Sequence, residues 1–324
     1  MKLDHIVQAT KGVPLGSRMN VAKEALQRHL LASLKNDGLL INAAFIGGTA
    51  LRLLHKLPRY SEDLDFIWKN KAAEDELPRW NECLMKAVKK LGAFASLDAK
   101  YKTKDDAKVP KRGLSIWVNS TATAFTAFAP HGIQISFDID LDPPANTEPE
   151  TRLMQIEDAQ IEIPSLNLPS LMSGKLHILL TRADREKGRD WFDYTWYRQK
   201  DILPNIPMLD SAIRQTSDGP EARYWTSYVR QRAKKIQWLN VRGDVKSFLE
   251  NPAEADALNE TRVSNITPYP NFAEIEAEIR EKKAKHPLLL KDNPVIRDIG
   301  QAALEGEMPA MEVLDLINAL KSES

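Results

Sequence analysis

A single cysteine, Cys83, is all the thiol that this chain of 324 residues carries. That excludes an internal disulfide and a cysteine-built zinc site. Cys83 falls in an amphipathic helical stretch, where it reads as a small buried thiol, and a reducing, cytoplasmic location is expected. Net charge is also missing: Lys+Arg and Asp+Glu both number 45. Any contact with nucleic acid must then come from local basic patches, since no global positive field exists. No apolar run approaches the ~20 residues needed to span a bilayer. The opening MKLDHIVQATKG has no apolar core for a signal peptide, so no membrane role is expected. Several motifs are absent as well: the G-x-x-x-x-G-K-[ST] loop, the G-x-G-x-x-G fingerprint, H-E-x-x-H and the serine-hydrolase elbow. Histidines are few, and His55 and His177 lie on leucine-rich helical faces that suit packing or capping.

What is present suits an ordinary globular protein, 43% hydrophobic and 28% charged. The length allows about two domains at ~150 residues each. Residues 20–37 carry apolar positions at helical spacing and stop at Gly38. A short apolar run over 41–46 predicts a buried strand that ends at Gly47-Gly48. Thr49 is placed to cap a helix over 50–55, and Leu64–Trp68 reads as a second strand. A helix is expected over 74–92. Strands follow near 95–103, 114–119, 132–141 and 159–163, then helices over 168–182 and 189–199. Beyond Ile202 the pattern is mostly helical, at 220–238, 243–250, 271–284, 293–304 and 309–321. The expected fold is α/β (α+β): a mixed sheet flanked by helices over 1–200, then a helical domain over 201–324.

The chemistry concentrates in GGTALRLLHKLPRYSEDLDF, residues 47–66. Period-two alternation puts Asp63 and Asp65 on one side of a strand, with Leu64 pointing into the core. Two like charges so close repel, and a bound cation is the usual compensation. Magnesium prefers such carboxylate oxygens. Gly47, Gly48 and Thr49 stand at a strand-to-helix junction, where backbone N–H groups can approach phosphate. Arg59 and Ser61 lie just ahead of the acids and could contact a triphosphate. Either part alone is commonplace, since Gly-Gly usually marks a turn and Asp-x-Asp a solvated strand. The order of strand, Gly-Gly turn, helix and Asp-x-Asp strand is far more specific.

That segment closely resembles motif I of the AbiEii/AbiGii toxin family of nucleotidyltransferases, within the DNA polymerase β-like superfamily. The preceding NVAKEALQRHLLASL and AAFIGG are similar to its lead-in helix and first strand. The resemblance implies a toxin of a type IV toxin–antitoxin or abortive-infection system, with a cognate antitoxin as partner. It also implies a nucleoside triphosphate substrate, Mg2+ as cofactor, and, as in the MenT relatives, the 3′ end of tRNA as acceptor. In IQISFDIDLDPP, Asp138 matches best the third metal-binding carboxylate of the superfamily, ahead of Asp140; Asp142 shares their face. LMSGKLHILLTRADREKGRDWFDY resembles the downstream motif, so that Lys175 would meet phosphate and Asp190 would orient it or accept a proton. Read from the residues alone, these are Lys–Asp or Arg–Asp pairs tying helices together. Asp193 reads as a structural partner of Arg189 or Lys187.

Residues 221–239 set Tyr224, Trp225 and Tyr228 beside Arg230, Arg232, Lys234 and Lys235, a combination suited to a single-stranded RNA end. An amphipathic helix with core aromatics and wet cations explains the same pattern equally well. Further basic runs occur at 100–104 and 282–285. Two other readings stay open: a protein-AMPylating or small-molecule (antibiotic) nucleotidyltransferase, and a silent nucleotide- or RNA-binding module.

Overall fold

In the computed structural model, α1 (Leu3–Ala9) packs on α2 (Leu15–Asn36), whose Ala22, Leu26, Leu30 and Leu34 recur at helical spacing and are fully buried. The described residues are 3–69, 80, 82–83, 85–87, 89–90, 98–105, 111–119, 121–182, 186–216 and 221–268. Gly38, at φ +81°, lets the chain leave α2 for a 3₁₀ turn at Leu39–Ile41. The first strand, β1 (Ala43–Ile46), is therefore shorter than its apolar run suggests. Then come α3 (Gly47–His55), β2 (Leu64–Trp68), β3 (Asp98–Asp105), β4 (Lys111–Asn119) and the single turn α4 (Thr123–Thr126). Strands β5 (Ile133–Asp140), β6 (Pro149–Ile156) and β7 (Ala159–Leu166) follow. The helical run consists of α5 (Leu168–Thr181), α6 (Gly188–Gln199), α7 (Ile206–Thr216), α8 (Trp225–Lys235), α9 (Trp238–Lys246) and α10 (Glu260–Ile266).

The strands form one mixed sheet of seven, ordered β3-β4-β5-β2-β1-β7-β6. β2 runs parallel to β5 and antiparallel to β1, and β1 runs parallel to β7. One face of the sheet, with Phe45, Leu64, Phe66, Phe137 and Ile139, packs against α1 and α2 in a first core. Ala44 and Ile67, on the other face, join a second core that draws on Leu166 through Val263. Residues 168–199 thus pack with the helices after them. Along β5 the second face is open, where Gln134 and Asp138 are exposed between fully buried Ile133, Ile135, Phe137 and Ile139. The sheet's polar face therefore meets solvent beside the edge of the helical layer.

Several elements differ from the sequence reading, among them α10, which lies in a stretch that reads as loop. Helix α1 spans only seven residues, too short for its apolar spacing to stand out, and of β6 only Met154 is buried. Helix α7 has a clear apolar face of Met208, Leu209, Ala212 and Ile213, but it follows a Pro-rich stretch that reads as loop. Of the helix expected over 74–92, the described positions are helical, with Trp80, Cys83 and Ala87 buried. The helices expected over 271–284, 293–304 and 309–321, and the basic run 282–285, lie outside the described residues.

Candidate active site

β1 ends at Ile46, which is in register with Asp65 of β2. Gly47 then turns the chain at φ +79°, a region that a Cβ disfavours. A Cβ at Gly47 would lie 2.2 Å from Asp65 Oδ2, and one at Gly48 would lie 2.7 Å from Arg59 Nη2 and 2.8 Å from Ser61 Oγ. The two glycines are thus what allow an acid, a guanidinium and a hydroxyl to close around the start of a helix. α3 begins at Gly47 itself, two residues ahead of a Thr49 cap, and no side chain caps it. Its first N–H groups lack intrahelical partners and its positive end lies against Asp65. Thr49 is fully buried inside the helix, and its hydroxyl donates to the Asp63 carbonyl. Its side chain tethers the acidic strand, which leaves its backbone N–H as what it can offer to phosphate.

Asp63 and Asp65 flank Leu64, which is fully buried, so both carboxylates leave the core on the same side. Parallel pairing puts Asp138 directly opposite Asp65, and Asp140 opposite Ile67. Asp140 Oδ1 accepts the Asp142 N–H at 3.1 Å, a local turn that the following prolines continue. The register therefore favours Asp138 as the third acid. Burial pushes the Asp63 carboxyl above its ordinary pKa, the Glu62 and Asp138 charges push it further, and Arg189 and Lys23 partly offset them. Burial also opposes ionisation of Glu62. There Lys23 at 2.9 Å and Arg189 at 3.1 Å outweigh it and hold the carboxyl below its usual range. Asp63, Asp65 and Asp138 share a face, but their oxygens do not all come within 4.8 Å of one another.

A chain of alternating charges runs from the glycine turn into the helical layer. Arg59, 1% exposed, donates from Nε and Nη2 to Asp193 at 2.6 Å each. Asp193 also meets Lys175 Nζ at 2.9 Å, Lys175 lies 3.4 Å from Asp190, and Asp190 accepts from Arg182 at 2.7 Å. Burial would raise the Asp193 pKa, yet Arg59 and Lys175 hold it below the ordinary carboxylate value. Burial likewise opposes the Lys175 charge, and Asp193 and Asp190 keep its pKa raised.

Two readings of single residues change here. Arg59 is committed to Asp193 and positions the turn from behind, so it is not a free phosphate ligand. Asp193 pairs with Arg59 and Lys175, not with Arg189 or Lys187; Arg189 turns to Glu62 and lies over the Phe248 ring at 4.4 Å. Lys23, Glu62 and Gln27 also belong to the site and were not singled out in the sequence. Gln27 donates to the Ser61 carbonyl at 3.0 Å, and with Lys23 it forms one i,i+4 face of α2, a spacing that could have marked both.

The aromatic-basic segment 221–239 divides. Tyr224 and Trp225 are 5% exposed and belong to the core, and Arg230 is buried and donates to the Thr267 carbonyl at 2.8 Å. Arg232 is held by Glu186 at 2.7 Å. Tyr228, Arg232 and Lys235 line a groove of about 950 Å³ that also contains Arg182, the far end of the charge chain.

These parts define an α/β protein in which an acidic strand pair meets a helix started by two glycines, chemistry suited to a cation-neutralised phosphate group. The family profile described as "Nucleotidyl transferase AbiEii toxin, Type IV TA system" matches residues 29–277. That is more than half of the chain, and the chain belongs to this family of nucleotidyltransferase toxins. Comparison with curated proteins gave no significant match. Among solved structures, the chain is similar to JHP933 from Helicobacter pylori, at 14% identity and a TM-score of 0.46, over 82% of this chain and 95% of that one. It is also similar to a provisionally named nucleotidyltransferase from H. pylori, at 15% identity and a TM-score of 0.45, over 81% and 95%. Both are too distant to carry residue roles across. No described helix is long and apolar enough to cross a membrane.

Proposed function

We propose that the protein transfers a nucleoside monophosphate from an NTP to a hydroxyl acceptor, the 3′ end of tRNA, with release of pyrophosphate. The observation that carries this is the register of Asp65 with Asp138, next to Asp63 and against Gly47. An all-carboxylate donor set suits Mg2+, and Asp63, whose carboxyl is pushed up first by burial and then by Glu62 and Asp138, is a group whose charged form a divalent cation would stabilise. Asp63 and Asp65 would hold it, with Asp138 as the third ligand. When bound, Mg2+ neutralises the triphosphate and stabilises charge on the leaving pyrophosphate.

The chain's own residues do the rest. Backbone N–H groups of Gly47, Gly48 and Thr49, with the Ser61 hydroxyl, receive phosphate oxygens. Lys175 supplies a cation whose place is set by Asp193 and Asp190, and it can swing its ammonium from these acids to a phosphate without losing charge. Asp190 already accepts from both Lys175 and Arg182, which favours the orienting role over that of proton acceptor. The groove beyond Arg182, with Tyr228 and Lys235, offers a stacking ring and cations to an RNA end. A cognate antitoxin or regulator is the partner that the family's type IV system implies.

The test is incubation with Mg2+, each NTP labelled at the α-phosphate, and total tRNA, with a bulk protein fraction and an aminoglycoside as parallel acceptors. Label on tRNA supports the reading. Label on protein or aminoglycoside alone would replace the acceptor and keep the catalyst, and no transfer from any NTP would overturn both.

A further inference from the structure

Where α1 and the β6–β7 turn meet α2, three donors from distant parts of the chain converge. His5 Nδ1 lies 2.7 Å from Glu157 Oε1, His29 Nε2 lies 3.3 Å from the same oxygen, and all three ligand atoms fall within 4.8 Å of one another. They come from α1, α2 and the turn between β6 and β7. Among the described residues, this is the one such trio of His, Cys, Asp or Glu atoms.

The turn that carries this carboxylate is held in place. Glu157 adopts φ +49°, where a non-glycine residue is uncommon. Gln155 Nε2 donates to the Glu157 carbonyl at 2.6 Å, and Arg28, next to His29, donates to the Gln155 carbonyl at 2.7 Å. The turn is thus fastened to α2, while Ile6, fully buried, anchors α1 beside it. Two imidazole nitrogens and one carboxylate oxygen are the donor set of a borderline cation, unlike the oxygen-only set at Asp63 and Asp65. In tetrahedral zinc, donors stand roughly 3.4 Å apart, a spacing that the present distances reach with small rotamer changes. Binding needs each ring's proton on its other nitrogen, a tautomer change that moves no heavy atom. Exposure of 48% at His5 and 53% at Glu157 leaves a path for the ion and room for a water as fourth ligand.

We propose that His5, His29 and Glu157 form a second, transition-metal site that takes Zn2+ and clamps α1 and the β6–β7 turn to α2. Tag-free protein titrated with Zn2+ by calorimetry should bind one equivalent that survives Asp65→Asn, and its unfolding midpoint should rise. His5→Ala, His29→Gln and Glu157→Gln should each weaken that equivalent at least ~10-fold, while exposed His131→Ala leaves it unchanged. Co2+ in place of Zn2+ should give visible d–d bands in wild type and lose them in the same three variants. The proposal is overturned if wild type shows neither heat nor Co2+ bands at metal in excess over protein. It is equally overturned if binding persists unaltered in folded forms of all three variants. Should a variant fail to fold, the Co2+ bands and histidine ring shifts of the wild-type protein decide.

Discussion

Replacing Asp193 with asparagine keeps the shape of the side chain and removes the charge that two cations share. The residue is fully buried, its two oxygens take both bonds from an Arg59 that is itself 1% exposed, and one of them also meets Lys175. Removing one member of a buried pair strands the other without compensation, at ~3–5 kcal/mol. At ~2–4 °C per kcal/mol for a chain somewhat smaller than this one, the midpoint should fall by roughly 6–20 °C. Circular dichroism melts of wild type, Asp193→Asn, Arg59→Met and the double variant close a mutant cycle. The double variant should recover part of the loss, because neither ion is then left alone. The pH dependence follows with a definite sign. Asp193 has its folded pKa below its ordinary value of 3.8, so its stabilisation is complete above that value. It is lost as pH falls through the lower, folded pKa, and Asp193→Asn should lose this acid-dependent component. If Asp193→Asn melts within a degree or so of wild type, the pair is not the buried clamp described above.

The other expectations are narrower. Gly188→Ala should destabilise by ~1–3 kcal/mol in urea melts, because a Cβ there would lie 2.0 Å from the backbone oxygen of Val241, which cannot move aside alone. His55, half-buried and close to Arg152, has its pKa lowered from 6.5 to about 4, so the unfolded chain takes up a proton first as pH falls. Stability should therefore decline between pH 6.5 and 4, and His55→Leu should flatten that slope in melts across the range. Asp138→Asn should lower nucleotidyl transfer ~100-fold or more with the midpoint kept, whereas Asp140→Asn, on a local turn, should cost far less.

The local order around the site was legible because it rests on short-range rules. Two glycines between a strand and a helix, and acids at alternate strand positions, have few other readings, and Asp63, Asp65, Gly47 and Gly48 fall where alternation puts them. Asp138 needed more. Asp138 and Asp140 alternate on β5, with Asp142 just beyond its end, and the pairing of β2 with β5, set by sheet topology, is what puts Asp138 opposite Asp65. Asp193 was misread because its partner Arg59 is 134 positions away, and sequence neighbours such as Arg189 are the pairs that local reasoning sees. Tyr224 and Trp225 were ambiguous for a similar reason, since a stacking ring and a core ring share one pattern until their packing is known. Strand β6 buries Met154 alone, and its apolar residues Leu153, Met154 and Ile156 do not alternate along it cleanly enough to mark a strand.

The most direct test of the acidic face is nucleotidyl transfer followed with NTP labelled either at the α- or at the γ-phosphate, for wild type, Asp65→Asn and Asp138→Asn. With wild type and Mg2+, α-label and never γ-label should reach the acceptor, and both variants should lose this transfer while staying folded. Transfer of γ-label, or α-label transfer by folded Asp65→Asn at the wild-type rate, would contradict this reading.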